Sequence, residues 1–438
     1  MLAKNKSTLE HIADLPVVHF GLAVVIGLLI GFGNYPTLLS VTYVGIAVLC
    51  IFFTFTGNRK LTFTLLPYLA YSEIVVKGTA HSMPYLFAPY TMMIVFGIMI
   101  IQQLPILSFH SKAFMFMVIF AIIEYVNGVR ADDPLYGKFL MVQSSLLAIV
   151  GIWSSSNILT AKMIQRFLYH VKAAGMYLCG VVAAAHVTGN IIYASNSSST
   201  STNGLAPVQI SGYLGWVSIL FFLSIVNPEE RKPRIVNIAA FCFSTILMVL
   251  SFSRGGAYFL AAVMALYFIF NSKKMSSYYF MFLFIPLTYI VYTYTNEATG
   301  GLIVQRYQEE GTSGRDELVW AGIELFERNP LTGVGTGNFV SEIKKQNLYS
   351  EESGAHNEFV RAAAEHGILG ITTYLLFYFF MFYEILIRKK IQREYGLYFF
   401  ILFCLILVHN GLKISVQPLI LMVVMATPTF IYNKDDKK

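Results

Sequence analysis

Charge is scarce in this chain: Asp, Glu, Lys and Arg make up 13% of its 438 residues, against about 25% in ordinary soluble domains. That shortage excludes a conventional water-facing globule. Cysteine is scarcer still. The four present, Cys50, Cys179, Cys242 and Cys404, lie inside apolar runs with no CxxC pair or Cys/His cluster, so they read as small hydrophobes and not as disulfide or zinc ligands. The polar loops contain no DxD pair and no His/Asp/Glu cluster at ligand spacing, so neither a metal nor any other cofactor is expected. No G-x-S-x-G elbow occurs, which disfavours a Ser-His-Asp hydrolase. The polar start, residues 1–14, leads into a long apolar run with no small-residue cleavage site. A cleaved signal peptide is not expected there.

What the chain has is apolar length. Hydrophobic residues make up 56% and aromatics 15%, and the mean hydropathy is +0.62. Apolar runs of roughly 15 to 25 residues recur almost throughout, the pattern of an all-α polytopic transmembrane bundle. The short alternating segments of a β-barrel are missing. Candidate spans are 16–33, 36–56, 61–77, 84–106, 112–127, 138–154, 166–191, 208–226, 235–252, 256–271, 276–295, 368–387, 395–410 and 414–432, a count of about 12–14. The chain then divides into an amino-terminal bundle (1–295), a large external loop (296–367) and carboxy-terminal spans with a tail (368–438).

The formal charge of +7 is not read as a nucleic-acid footprint, because many of the cations sit in short loops between spans, where they set orientation. Arg59-Lys60, the 229–234 stretch, Lys273-Lys274, Arg388-Lys389-Lys390 and the tail fall on one side when spans are counted from a cytoplasmic amino terminus. The same count puts 296–367, the Ser253-Arg254-Gly255-Gly256 turn and the Ser/Thr/Asn-rich segment 195–203 outside. The Asn196-Ser197-Ser198 sequon in that segment is read as incidental. No repeat supports inverted transporter halves, although Glu73, Glu124 and Lys172 lie in or near spans without an evident role.

The chemistry-bearing residues gather on the outer side. Arg254 closes an apolar run between Ser253 and Gly255-Gly256; it is either an interfacial anchor or a guanidinium that clamps an anion, phosphate being a natural match for its planar fork. Arg315 opens a segment whose apolar residues 319, 323 and 326 recur at helical spacing. It is either a solvated charge paired with Asp316 or Glu317, or an anion ligand at a helix start. Asn329-Pro330 ends that helix. Gly333, Gly335 and Gly337 with Asn338 lack the ending of a phosphate loop and follow no strand, so a tight turn that lets Asn338 and Phe339 pack on the bundle is the expected role. His356 begins a segment expected to be a helix closed by Gly367. A histidine in the first helical turn would be kept neutral by the dipole and suited to act as a base; the alternative is an interfacial hydrogen-bonding role. Glu358 and Glu365 either orient the acceptor or the imidazole, or pair with Arg361.

Taken in order, Ser253-Arg254-Gly255-Gly256, Gly314-Arg315 with Trp320, Asn329-Pro330-Leu331 with Gly333, Gly335 and Gly337-Asn338-Phe339, and His356-Asn357 with Glu365 and Gly367 resemble the O-antigen ligase/polymerase superfamily over roughly residues 245–375. The resemblance implies a GT-C-like, metal-independent, inverting glycosyltransferase in the bacterial cytoplasmic membrane. Its donor would be an oligosaccharide on undecaprenyl diphosphate. Arg254 and Arg315 would hold the diphosphate, while His356, with Glu365, would activate the acceptor hydroxyl. Ser253, Gly255, Gly333, Gly335, Gly337, Asn338 and Asn357 would support the site. The acceptor would be a second lipid-linked repeat unit (a polymerase, the leading reading), lipid A-core (a ligase) or a protein hydroxyl. Membrane lipids and other polysaccharide-assembly proteins would be its remaining partners. A flippase for lipid-linked oligosaccharide is the reading from another class.

Overall fold

The computed structural model describes residues 16–33, 35–79, 86–106, 108–109, 111–129, 131–157, 159–189, 191, 193, 204–227, 234–308, 314–349, 354–388 and 390–426. Residues 1–14, the sequon segment 195–203, residues 229–233 and the tail 434–438, all read above, lie outside the described residues.

The described residues are helical, with no strand among them. In chain order they form α1 (Pro16–Phe32), α2 (Pro36–Phe55), α3 (Arg59–Thr79), α4 (Phe87–Ile101), α5 (Ala113–Gly128), α6 (Pro134–Ser156), α7 (Ala161–Val187), α8 (Pro207–Val226) and α9 (Arg234–Leu250). These are followed by α10 (Gly255–Phe270), α11 (Met275–Ala298), α12 (Leu302–Gln308), α13 (Arg315–Arg328), α14 (Phe339–Lys345), α15 (Glu358–Leu386), α16 (Lys390–Asn410) and α17 (Gln417–Ala426). Local signals explain several starts. Pro134 and Pro207 stand in the first turns of α6 and α8, where no intrahelical N–H is lost. Asp133 caps α6 by accepting from Leu135 N at 2.9 Å.

Every expected span corresponds to a helix. Six of them (α2, α6, α7, α8, α15 and, over 392–410, α16) are long and apolar enough to cross a membrane, and six more (α1, α4, α5, α9, α10 and α17) are shorter apolar helices. α3 and α11 fall outside both groups. Arg59, Lys60, Glu73 and Lys77 dilute the first, and tyrosine, threonine and the Asn296-Glu297 pair dilute the second. Exposed faces are themselves apolar: Leu22, Ile26 and Leu29 on α1 and Phe282, Ile285 and Tyr289 on α11 are all more than half exposed. Such faces suit lipid and not water. The chain is a multi-pass helical membrane protein.

Contacts divide the chain into two units, one of residues 1–43, 71–83 and 167–308 and the other of 44–70, 84–166 and 309–438. In the first unit α8 is the most enclosed helix, with 89% of its apolar window buried, and it packs against α9 and α10. Glycine sets two close crossings. A Cβ on Gly256 of α10 would lie 2.3 Å from the Ser211 carbonyl oxygen of α8, and one on Gly180 of α7 would lie 2.3 Å from the Val24 oxygen of α1. Small residues at such points let backbones approach, the usual device between membrane helices. Two of the unexplained charges also acquire partners here. Glu73 pairs with Lys77 at 2.7 Å, and Lys172 donates to Ser224 Oγ at 2.9 Å.

In the second unit α6 packs against α4, α5 and α17, and α15 packs against α5, α13 and α16. The polar insert carries its own small core of Leu318, Ala321, Leu325, Phe339, Ile343, Ala355 and Ala364. This core seats α13 and α14 on the first turns of α15.

Candidate active site

The insert is held by backbone. Val334 N donates to the Ala364 oxygen and Gly335 N to the Glu365 oxygen, both at 2.9 Å, and Ile368 N donates to the Pro330 oxygen at 2.8 Å. The Gly-rich turn therefore takes up the carbonyls left open where α15 breaks at Gly367, whose φ of 62° and ψ of −155° only glycine adopts readily. A Cβ on Gly333 would lie 2.2 Å from the Glu365 carbonyl carbon. Asn338 donates to the Val334 oxygen and accepts from Asp132 N at 2.7 Å, and Phe339 is buried. The packing role expected of this turn is the one observed. α13 differs in detail from expectation. Its buried stripe is Leu318, Ala321, Gly322 and Leu325, whereas Val319, Ile323 and Phe326 are half-buried. The small residues Ala321 and Gly322 take the side facing α14 and α15, which a purely apolar count overlooks.

His356 does not stand in the first helical turn. It precedes the cap, at a φ of 49°, and Asn357 is the N-cap, accepting from Phe359 N at 3.0 Å. A left-handed non-glycine residue costs about 1–3 kcal/mol and is most often found at functional sites. The imidazole is held neutral by burial first, then by the charges of Lys413 and Arg315, which together depress its pKa to about 3. The neutral form expected from the sequence is thus tied to burial and to two neighbouring cations. His356 Nδ1 is buried and has no hydrogen-bond partner among the described residues. The ring lines a small cleft together with Tyr136, Ala355, Asn357, Glu358 and Lys413.

Arg315 opens α13 after Gly314, which adopts a φ of 72°. Its guanidinium lies against the His409 ring, 3.5 Å from Nε2 at the longer of two approaches. Lys413 is half-buried on the loop between α16 and α17, and burial and Arg315 lower its pKa against the pull of Glu358. Arg315, His356 and Lys413 are therefore electrostatic neighbours within one unit.

Beneath the cleft lies a buried ion network. Arg361 donates to Glu358 Oε1 at 2.8 Å and to Glu365 Oε2 at 2.6 Å, and also meets Glu124. His366 Nε2 stands 3.5 Å from Glu124 Oε1, and Phe339 N donates to Glu365 Oε1 at 3.3 Å. Of the readings left open for Glu358 and Glu365, the geometry displays the pairing with Arg361. Glu365 is fully buried, so it serves the site by holding Arg361 and the turn. Glu124, the third unexplained charge, belongs to the same network.

Arg254 lies in the other unit. It stands at the N-cap of α10, between a strained Phe252 with a φ of 59° and the Gly255-Gly256 pair. Ser211 Oγ ties this turn together, donating to the Ser253 oxygen and accepting from Gly256 N, both at 2.8 Å. Ser253 Oγ is buried and has no hydrogen-bond partner among the described residues. A second guanidinium, Arg306 on α12, donates to the Phe252 oxygen at 3.3 Å. Burial and then the neighbouring charge of Arg254 depress its pKa. Two like charges brought together in a partly desolvated place make a candidate anion site.

Sequence reading passed over Arg306 and Lys413. Arg306 is set among Ile303, Val304 and Tyr307, a cation in an apolar stretch of the insert. Lys413 follows Asn410-Gly411 on a loop that the span count places outside, against the usual distribution of lysines. Both signals were present but isolated. Among the described residues, no group of three or more His, Cys, Asp or Glu side chains is arranged to hold a metal ion.

No curated protein matches the chain. Residues 238–375, which contain Arg254, Arg306, Arg315, His356, Glu365 and the Gly-rich turn, match the family model described as O-Antigen ligase. Over that segment, less than half of its length, the chain is similar to the O-antigen ligase family.

Proposed function

We propose that this protein is a membrane glycosyltransferase that moves a glycan from undecaprenyl diphosphate to an acceptor hydroxyl at the outer face of the cytoplasmic membrane, polymerising repeat units of a surface polysaccharide. One observation carries the reading: a strained, half-buried imidazole, kept neutral by desolvation and then by two neighbouring cations, lines a small cleft. A neutral histidine can take a proton, and cations beside it can hold the oxyanions of a leaving diphosphate.

The chemistry follows from these parts. Arg315, beside His356, holds the diphosphate, and Arg254 with Arg306 is a cationic pair of its own that suits an anion. His356 takes the proton of the acceptor hydroxyl as its oxygen attacks the anomeric carbon. The carbon–oxygen bond to phosphate breaks with its electron pair, undecaprenyl diphosphate departs, and the proton passes from His356 to solvent. Attack opposite the leaving group inverts the anomeric centre. An already activated donor leaves the protein to supply positioning, charge stabilisation and a base, with no metal required. The flippase reading loses the charges that motivated it, since Glu73, Glu124 and Lys172 all have protein partners.

A second reading takes lipid A-core as the acceptor, the matched family being described as a ligase. Deleting the gene and sizing surface polysaccharide separates the two. Single repeats on lipid A indicate a polymerase, and long chains retained on the polyprenyl carrier indicate a ligase. Purified protein given a lipid-diphosphate glycan must release undecaprenyl diphosphate; transport without release refutes both.

A further inference from the structure

We infer that Lys413, outside the matched segment, forms with Arg315 an oxyanion-binding subsite beside His356 that takes a phosphate or carboxylate oxygen of the substrate. The inference rests on the reading of this cleft as the reaction site, and it adds a cation from a part of the chain that the motifs do not reach.

The lysine is held in place. Gly411 ends α16 with a φ of 61°, and its N–H donates to the Leu407 oxygen at 3.2 Å. Gln417 Nε2 donates to the Gly411 oxygen and closes the loop. On either side Leu412 and Ile414 are buried, so the backbone at Lys413 is anchored by its neighbours. Its side chain turns to the cleft. A Cβ on Gly354 would lie 3.4 Å from Lys413 Nζ and 3.6 Å from Tyr136 Oη, so ammonium and phenol flank the residues that lead to His356. Leaving that position without a side chain keeps the approach open.

Among the described residues nothing uses this ammonium. Among the described residues Lys413 makes no hydrogen bond or ion pair. Glu358, the carboxylate that acts on it, is engaged by Arg361. A partly desolvated ammonium without a partner is costly unless a ligand supplies the counter-charge. Next to a neutral imidazole and a second cation, the chemistry that fits is an oxyanion. It can come from the donor diphosphate or from an acidic sugar of the acceptor.

The test measures binding to purified full-length protein in detergent by titration calorimetry, with inorganic diphosphate and with glucuronate as probes. Wild type, Lys413→Met, Lys413→Arg, Arg315→Met and, as a control on an exposed lysine, Lys345→Ala are compared. Loss of one charge-assisted contact weakens binding by about tenfold or more, so Lys413→Met should lose that much for one probe while Lys413→Arg and Lys345→Ala stay near wild type. Loss for diphosphate identifies the donor as the source, and loss for glucuronate alone identifies the acceptor. Lys413→Met binding both probes like wild type overturns the inference. If Arg315→Met still loses diphosphate in that case, the donor reading survives without Lys413. Wild type binding neither probe overturns the subsite outright. Should Lys413→Met fail to fold, protection of Lys413 in wild type from an amine-reactive reagent is read by mass spectrometry. Protection by either probe supports the subsite, and no protection by both removes it.

Discussion

Arg361 Nη1 donates to Glu365 Oε2 at 2.6 Å, one helical turn along α15, and both side chains are buried. This contact anchors the network that also holds Glu358 and Glu124 and underlies the cleft. Removing the only guanidinium named in it would strand carboxylates in a low-dielectric interior. Arg361→Met should destabilise the protein by about 3–5 kcal/mol, read as a clear drop in melting midpoint in detergent. His356→Ala should leave the midpoint nearly unchanged while abolishing transfer. If Arg361→Met melts like wild type, the network is not structural.

The pH response of His356 has a defined sign. Its native pKa, about 3, lies below the ordinary value of 6.5, so the unfolded chain binds the proton more readily. The stability it contributes is complete above about pH 6.5 and is lost as pH falls from there toward 3. Catalytically, the acid limb of kcat/KM due to this base should lie well below pH 6. Lys413→Met should move that limb upward by removing a neighbouring positive charge. A limb at pH 6.5 in wild type would show that the imidazole is not shielded as described.

Gly333 faces backbone that cannot yield: an added Cβ would meet the Glu365 carbonyl carbon at 2.2 Å and His366 N at 2.3 Å, at a φ of 65°. Gly333→Ala should therefore destabilise by more than about 1 kcal/mol and reduce transfer. Gly97 has nothing within 4 Å, so Gly97→Ala serves as the control, with little change expected. Equal melting of the two variants would contradict the account of the turn.

Arg254 and Arg306 should act together if they serve one anion. Each change to Met should lower transfer by about tenfold or more, and the double variant should lose less than the product of the two losses. Independent, multiplicative effects would separate them. Arg315→Lys should also be severely impaired, because a point charge does not reproduce a bidentate fork; full activity with lysine would argue against that geometry.

The parts of the site legible in advance were those set by local chemistry. Gly367 ends a helical stretch because its dihedral pair suits glycine, and Asn329-Pro330 stops α13 where expected. The face of α13 was misjudged because Ala321 and Gly322 are buried for their smallness, which hydrophobicity does not register. His356 was expected in the first helical turn and stands just before the cap, since capping by Asn357 and positive φ at the histidine depend on the packed insert. Lys413 carried too little local context to be noticed.

Composition alone determined that this chain is a bundle of membrane helices, because in lipid each backbone must satisfy its own hydrogen bonds and long apolar runs can do so only as helices. Tertiary structure decided which charges meet. Arg361 and Glu124 are 237 residues apart in the chain, and the neutrality of His356 comes from burial and then from a lysine on another loop. Electrostatic coupling falls with distance through space and rises with burial, and neither quantity is written in the order of the residues.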